Sequence, residues 1–70
     1  MEKFEIEITS VPDRSELVAE IWYNSKLIAE INRENMPLEL VLYGQMMNKL
    51  IVPFDEFIEV LEMAKKKLIS

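Results

Sequence analysis

Residues 17 to 32 constrain this chain more than any other stretch. Leu17-Val18-Ala19-Glu20-Ile21-Trp22-Tyr23 and Lys26-Leu27-Ile28-Ala29-Glu30-Ile31-Asn32 flank Asn24-Ser25. Two runs rich in β-branched and aromatic residues, separated by a two-residue turn, predict a β-hairpin. Asn-Ser is a weaker turn signal than Asn-Gly, because Ser tolerates positive φ poorly. Pairing Tyr23 opposite Lys26 would fix the register of everything behind it. With strict alternation, one face carries Val18, Trp22, Leu27, Ala29 and Ile31, interrupted by Glu20. The other carries Leu17, Ala19, Ile21, Tyr23 and Ile28 among Lys26, Glu30 and Asn32. A hairpin apolar on both sides needs cover on both sides.

Seventy residues provide little of it. A chain of this length makes one domain, residues 1–70, and buries only about 60–65% of its unfolded surface. With no Cys and no His, neither a disulfide nor a structural zinc site can staple it, so oligomerisation or partner binding is the remaining common source of buried area. The lack of Cys fits a reducing compartment. The start of the chain, Met1-Glu2-Lys3-Phe4-Glu5, lacks the basic and apolar regions of a signal peptide, and no apolar run approaches the roughly 20 residues of a membrane span. The expectation is a cytoplasmic protein with no membrane association.

Lys3-Phe4-Glu5-Ile6-Glu7-Ile8-Thr9 alternates strictly and predicts a half-buried strand, with Phe4, Ile6 and Ile8 inward and charges outward. Ser10 to Glu16 is a loop built on Pro12-Asp13. After a second break at Arg33 to Pro37, Leu38 to Tyr43 reads as a fourth strand ended by Gly44, and Leu50-Ile51-Val52 as a short fifth. A helix from Pro37 through Met47 is the alternative. The C-terminal segment is helical, starting with Pro53 in the first turn or capped by Asp55. Phe54, Phe57, Ile58, Leu61, Ala64 and Leu68 form its apolar stripe. The early acids and Lys65-Lys66-Lys67 complement the helix dipole. The predicted fold is α+β: a four- or five-stranded antiparallel meander with one C-terminal helix on one face. A helix about 10 Å wide covers less than four strands spaced about 4.8 Å apart.

Charge and missing residue types narrow the function. Net charge is −5; residues 2 to 62 hold all thirteen acids and five of the eight bases, so the body of the chain carries −8. Such a surface repels nucleic acid and anionic membranes and favours basic partners, although charge kept for solubility is the plainer reading. Without His or Cys, the commonest general base, the thiol nucleophile and the usual zinc ligands are gone, and one glycine cannot build a phosphate loop. The four serines fall in turns or at the terminus. The acidic pairs Glu5/Glu7, Asp55/Glu56 and Glu59/Glu62 read as solvated faces, and the terminal lysines as the solvated end of a helix. No enzymatic activity and no cofactor or metal are expected. Trp22 and Tyr23 are adjacent and must point to opposite faces, so one lies off the helix-covered side, where both types favour interface hot spots. The candidate protein-binding residues are Trp22, Tyr23, Ile28, Glu5, Glu7, Glu20 and Glu30.

The run 17–23, its turn, the run 27–32 and the closing Pro53-Phe54-Asp55-Glu56-Phe57 with its Lys-rich end resemble small bacterial immunity-type proteins. Those are encoded beside polymorphic or contact-dependent toxins and neutralise them. The resemblance implies a non-enzymatic inhibitor of a basic protein such as a nuclease toxin, and carries no residue roles with it. The acidic surface equally suits a phage-encoded, anti-CRISPR-like inhibitor of a host defence nuclease. Incomplete cover of the sheet suits a structural homodimer.

Overall fold

A computed structural model describes residues 3–44 and 49–70. Four strands, β1 (Phe4–Thr9), β2 (Val18–Tyr23), β3 (Lys26–Asn32) and β4 (Glu39–Leu42), precede one helix, α1 (Phe54–Ile69). The strands form one antiparallel sheet in the order β1-β2-β3-β4. The architecture is the expected α+β meander with a C-terminal helix. Residues 50–52, the candidate fifth strand, adopt no strand structure. The alternative helix from Pro37 is excluded at β4, which pairs with β3 through Ala29–Leu42, Glu30–Val41, Ile31–Leu40 and Asn32–Glu39; Met46 and Met47 lie outside the described residues.

The hairpin turns where the sequence places it. Tyr23 pairs with Lys26, and Asn24 and Ser25 both have positive φ, 51° and 66°. That is the type I′ geometry whose twist matches the flanking strands, and Ser25 adopts it without glycine's freedom.

Strict alternation fails one step further along. Trp22 pairs with Leu27 and Ile21 with Ala29, so Ile28 is an extra residue in β3. A bulge of this kind sets two residues of one strand against one of the other. Ile28 and Ala29 therefore both join the helix-side core, each essentially inaccessible. Everything beyond the bulge changes sides relative to a flat hairpin. Ile31 moves into the core with Ala19 and Ile21, while Glu30 and Asn32 move to the outer face beside Val18, Glu20 and Trp22. The two apolar faces expected of the hairpin thus become one apolar face and one mixed face, on which Val18, Trp22 and Leu27 sit among Glu20, Glu30 and Asn32.

Helix α1 covers the apolar face. Its first backbone bond runs from the Phe57 N–H to the Pro53 carbonyl (3.0 Å), with Pro53 extended at the N-cap and Asp55 inside the first turn. Val60, Ala64 and Leu68 are buried against Phe4, Ala19, Ile21, Ile28, Ala29 and Ile31, with Phe57 and Leu61 alongside. The contact stripe is rotated from the expected one: Val60 is at its centre, whereas Phe54 (76% exposed) and Ile58 (45%) face outward. The rings of Phe4 and Tyr23 lie 4.6 Å apart, and those of Phe4 and Phe57 6.1 Å. The helix packs on β1, β2 and β3, leaving the two leucines of β4 on its flank.

Candidate protein-binding surface

The face away from the helix is built from side chains that alternate with the core. β1 contributes Glu5 and Glu7, β2 contributes Val18, Glu20 and Trp22, and β3 contributes Leu27, Glu30 and Asn32. Glu7 pairs with Glu20, and Glu20 with Glu30, so three carboxylates occupy directly opposed positions on three neighbouring strands. Like charges in that arrangement repel and destabilise a sheet unless something offsets them.

At Glu30 the offset is built in. Glu30 is buried, yet Arg14 Nε donates to Oε2 at 2.8 Å, Asn32 Nδ2 to the same oxygen at 2.8 Å, and the Tyr43 hydroxyl to Oε1 at 2.8 Å. Burial, the largest single influence, pushes the carboxyl pKa up. Together the donors from Arg14, Tyr43 and Asn32 more than reverse it and hold the group below the ordinary glutamate value. In return the hydrogen bond to Glu30 raises the Arg14 pKa, and burial followed by the phenol's own bond to Glu30 raises the Tyr43 pKa. The network extends outward. Asn32 Oδ1 accepts the Glu34 N–H (3.0 Å), and Glu34 accepts both the N–H and the hydroxyl of Ser15 at 2.9 and 3.0 Å. Those bonds, the backbone one first, lower the Glu34 pKa. Segment 10–17 is thereby fastened over one end of the outer face, where Val18 is wholly buried.

The other end stays open. Glu20 accepts the indole N–H of Trp22 at 3.2 Å, a contact between residues two apart on one strand face, which fixes the ring beside the carboxylate. Glu5 pairs across the sheet with Trp22, and Glu5, Glu7 and Trp22 line a shallow hollow at the β1 edge. Glu5 and Glu7 are exposed, and their carboxylates make no hydrogen bond or ion pair among the described residues. Among the described residues no group of three or more His, Cys, Asp or Glu is arranged to hold a metal ion.

The candidate binding residues therefore separate. Trp22, Glu5, Glu7 and Glu20 come together on the open part of the outer face. Tyr23 and Ile28 belong to the helix-side core, where Ile28 is buried and Tyr23 packs on Phe4. Glu30 shares the outer face but is sealed beneath Arg14. Sequence reasoning missed the partners of Glu30: Arg14 lies in a loop 16 residues away and Tyr43 just past the end of β4, 13 residues away. An arginine beside Pro-Asp was the only available signal, and it names no partner. Comparison with family models, curated proteins and solved structures gives no match. No described helix is long and apolar enough to cross a membrane.

Proposed function

We propose that this chain is a non-enzymatic protein-binding module, an immunity- or antitoxin-like inhibitor that docks its open outer face on a basic protein such as a nuclease toxin. The observation that carries this reading is the placement of Trp22. A half-buried indole, held by Glu20, sits on a rigid sheet next to Glu5 and Glu7, none of which is neutralised by a base of this chain among the described residues. An aromatic anchor ringed by carboxylates suits a cationic surface. The ring supplies apolar contact at small entropic cost, and the acids supply orientation and a fast encounter. The Arg14–Glu30 network supports the same role by fastening the β1–β2 loop to β3 at the other end of this face, since a pre-ordered surface loses less entropy on binding.

The test is recovery of the partner from the cells that make the protein, with wild type and the double variant Trp22→Ala/Glu20→Lys as parallel baits. One dominant basic protein retained by wild type and lost by the variant is the expected result. Equal recovery on both baits, or no specific protein on either, would remove the basis of the proposal. The genes flanking the coding sequence then separate a toxin partner from a defence nuclease countered by a phage.

A further inference from the structure

We propose that β4 is the seam of a two-fold dimer, in which it pairs antiparallel with the β4 strand of a second copy of this chain. The sheet has two edges, and they are unlike. β1 is long, holds Phe4, Ile6 and Ile8 on the helix side, and sets Glu5 and Glu7 on the other, a charged edge of the kind that resists pairing. β4 carries the single charge Glu39, and its leucines stand clear of the helix, with Leu40 47% and Leu42 67% exposed. The Tyr43 N–H donates to the Ile28 carbonyl at 2.9 Å, so residues 39, 41 and 43 turn their backbone groups towards β3. Leu40 and Leu42 therefore turn theirs outward, and the same two residues offer both backbone groups unpaired among the described residues and apolar side chains.

A second copy meets that edge with its own pattern in register. Placing the two-fold axis at Val41 sets Leu40 of each copy opposite Leu42 of the other as hydrogen-bonded pairs, which satisfies four N–H and four C=O groups. Glu39 then falls opposite Tyr43 rather than opposite another Glu39, so the only charge on the strand meets no like charge across the seam. The groove beside it, between Leu38, Leu40, Leu61, Glu62 and Lys65, is apolar with both charge signs on its rim, which suits self-association. The outer face, acidic throughout its open part, would repel its own copy. The two surfaces can thus be occupied at once, one by a second copy and the other by a basic partner.

The mass of the full chain in solution decides the matter, measured by light scattering or sedimentation at about 100 µM, a range that registers even weak association. Wild type is expected at 16.6 kDa, twice the 8.3 kDa of one chain. Leu42→Lys and, separately, Leu40→Pro are expected to halve it without altering the circular dichroism, because Leu42 is exposed and the Leu40 N–H bonds nothing in β3. The chain has no cysteine, so Val41→Cys supplies a single reporter at the axis. Two such residues in a non-hydrogen-bonded pair lie about 4.5 Å apart between Cα atoms, within reach of a disulfide, and mild oxidation is expected to link the copies. A wild-type mass of 8.3 kDa, a dimer untouched by both edge variants, or a dimer that Val41→Cys fails to link would each overturn the proposal. None of these results bears on the acidic face.

Discussion

The two faces of this sheet are closed by different physics, although adjacent residues of the same hairpin build both. On the helix side Ile21, Ile28 and Ala29 meet Val60, Ala64 and Leu68, and exclusion of water does the work. On the outer side a carboxylate, a guanidinium, an amide and a phenol close the end of the sheet through hydrogen bonds. The first mechanism tolerates substitutions of similar shape, whereas the second depends on every member being present. The open remainder of the outer face keeps the Glu5 and Glu7 carboxylates without side-chain partners among the described residues.

The largest effect should come from the apolar side. Ile21→Ala removes a fully buried side chain beneath the helix and is expected to cost about 3 kcal/mol, enough to unfold much of a domain this small. Urea titration followed by circular dichroism measures it. A loss near that of an ordinary surface substitution would mean that the helix does not hold this face closed.

Next in size is the polar side. Glu30→Ala strands three donors at once and is expected to cost about 2 kcal/mol, since each buried donor left unpaired forfeits its solvation. Glu30→Gln is the sharper variant, because it keeps the shape and removes the titration. The folded state holds the Glu30 carboxyl below its ordinary value, so its contribution is present above the unfolded pKa, near pH 4, and fades as the pH falls through the folded value. The stability difference between wild type and Glu30→Gln is therefore expected to be full at pH 6 and to shrink as acid is added below about pH 4. The raised Tyr43 pKa works in the opposite sense: its share is present below about pH 10 and lost as the pH rises through the folded value. A pH-independent difference would show that the network holds by shape alone.

The contrast also explains what could be read from the chain. The first strand, the hairpin register at Tyr23–Lys26 and the terminal helix all rest on local patterns: alternation in Phe4 to Thr9, a turn pair at Asn24-Ser25, helical spacing from Phe57 to Leu68. The order of the strands in the sheet, by contrast, is set by tertiary pairing and could not be read. The assignment of sides did not follow, because a single extra residue at Ile28 reverses every side chain after it and leaves no mark in composition. Strict alternation accordingly sent Glu30 and Asn32 to the wrong face and made both faces of the hairpin apolar. Helix phase was missed for a related reason. Val60 and Ile58 are both β-branched and apolar, and only the position of the sheet selects Val60. At the candidate site, Trp22, Glu5, Glu7 and Glu20 were legible as types that bind, but their union needed the cross-strand register. The ties from Arg14 and Tyr43 to Glu30 are tertiary and have no local signature.

The smallest effect concerns the turn that joins the two faces. Ser25 has φ 66°, in the left-handed region where a side chain is disfavoured and glycine is not. Its side chain is exposed and makes no hydrogen bond among the described residues, so removing it sacrifices little. Ser25→Gly is expected to raise stability by about 0.5 kcal/mol, the strain relieved being partly offset by the greater freedom that glycine gives the unfolded chain. That corresponds to a rise in Tm of roughly 2–4 °C for a domain of this size, measurable by thermal unfolding. Because the turn fixes the register before the bulge shifts it, the gain should be the same in wild type and in Glu30→Gln, two distant sites without shared partners. Non-additivity between them would mean that turn and network are coupled through the bulge at Ile28, and that the two faces are one cooperative device rather than two.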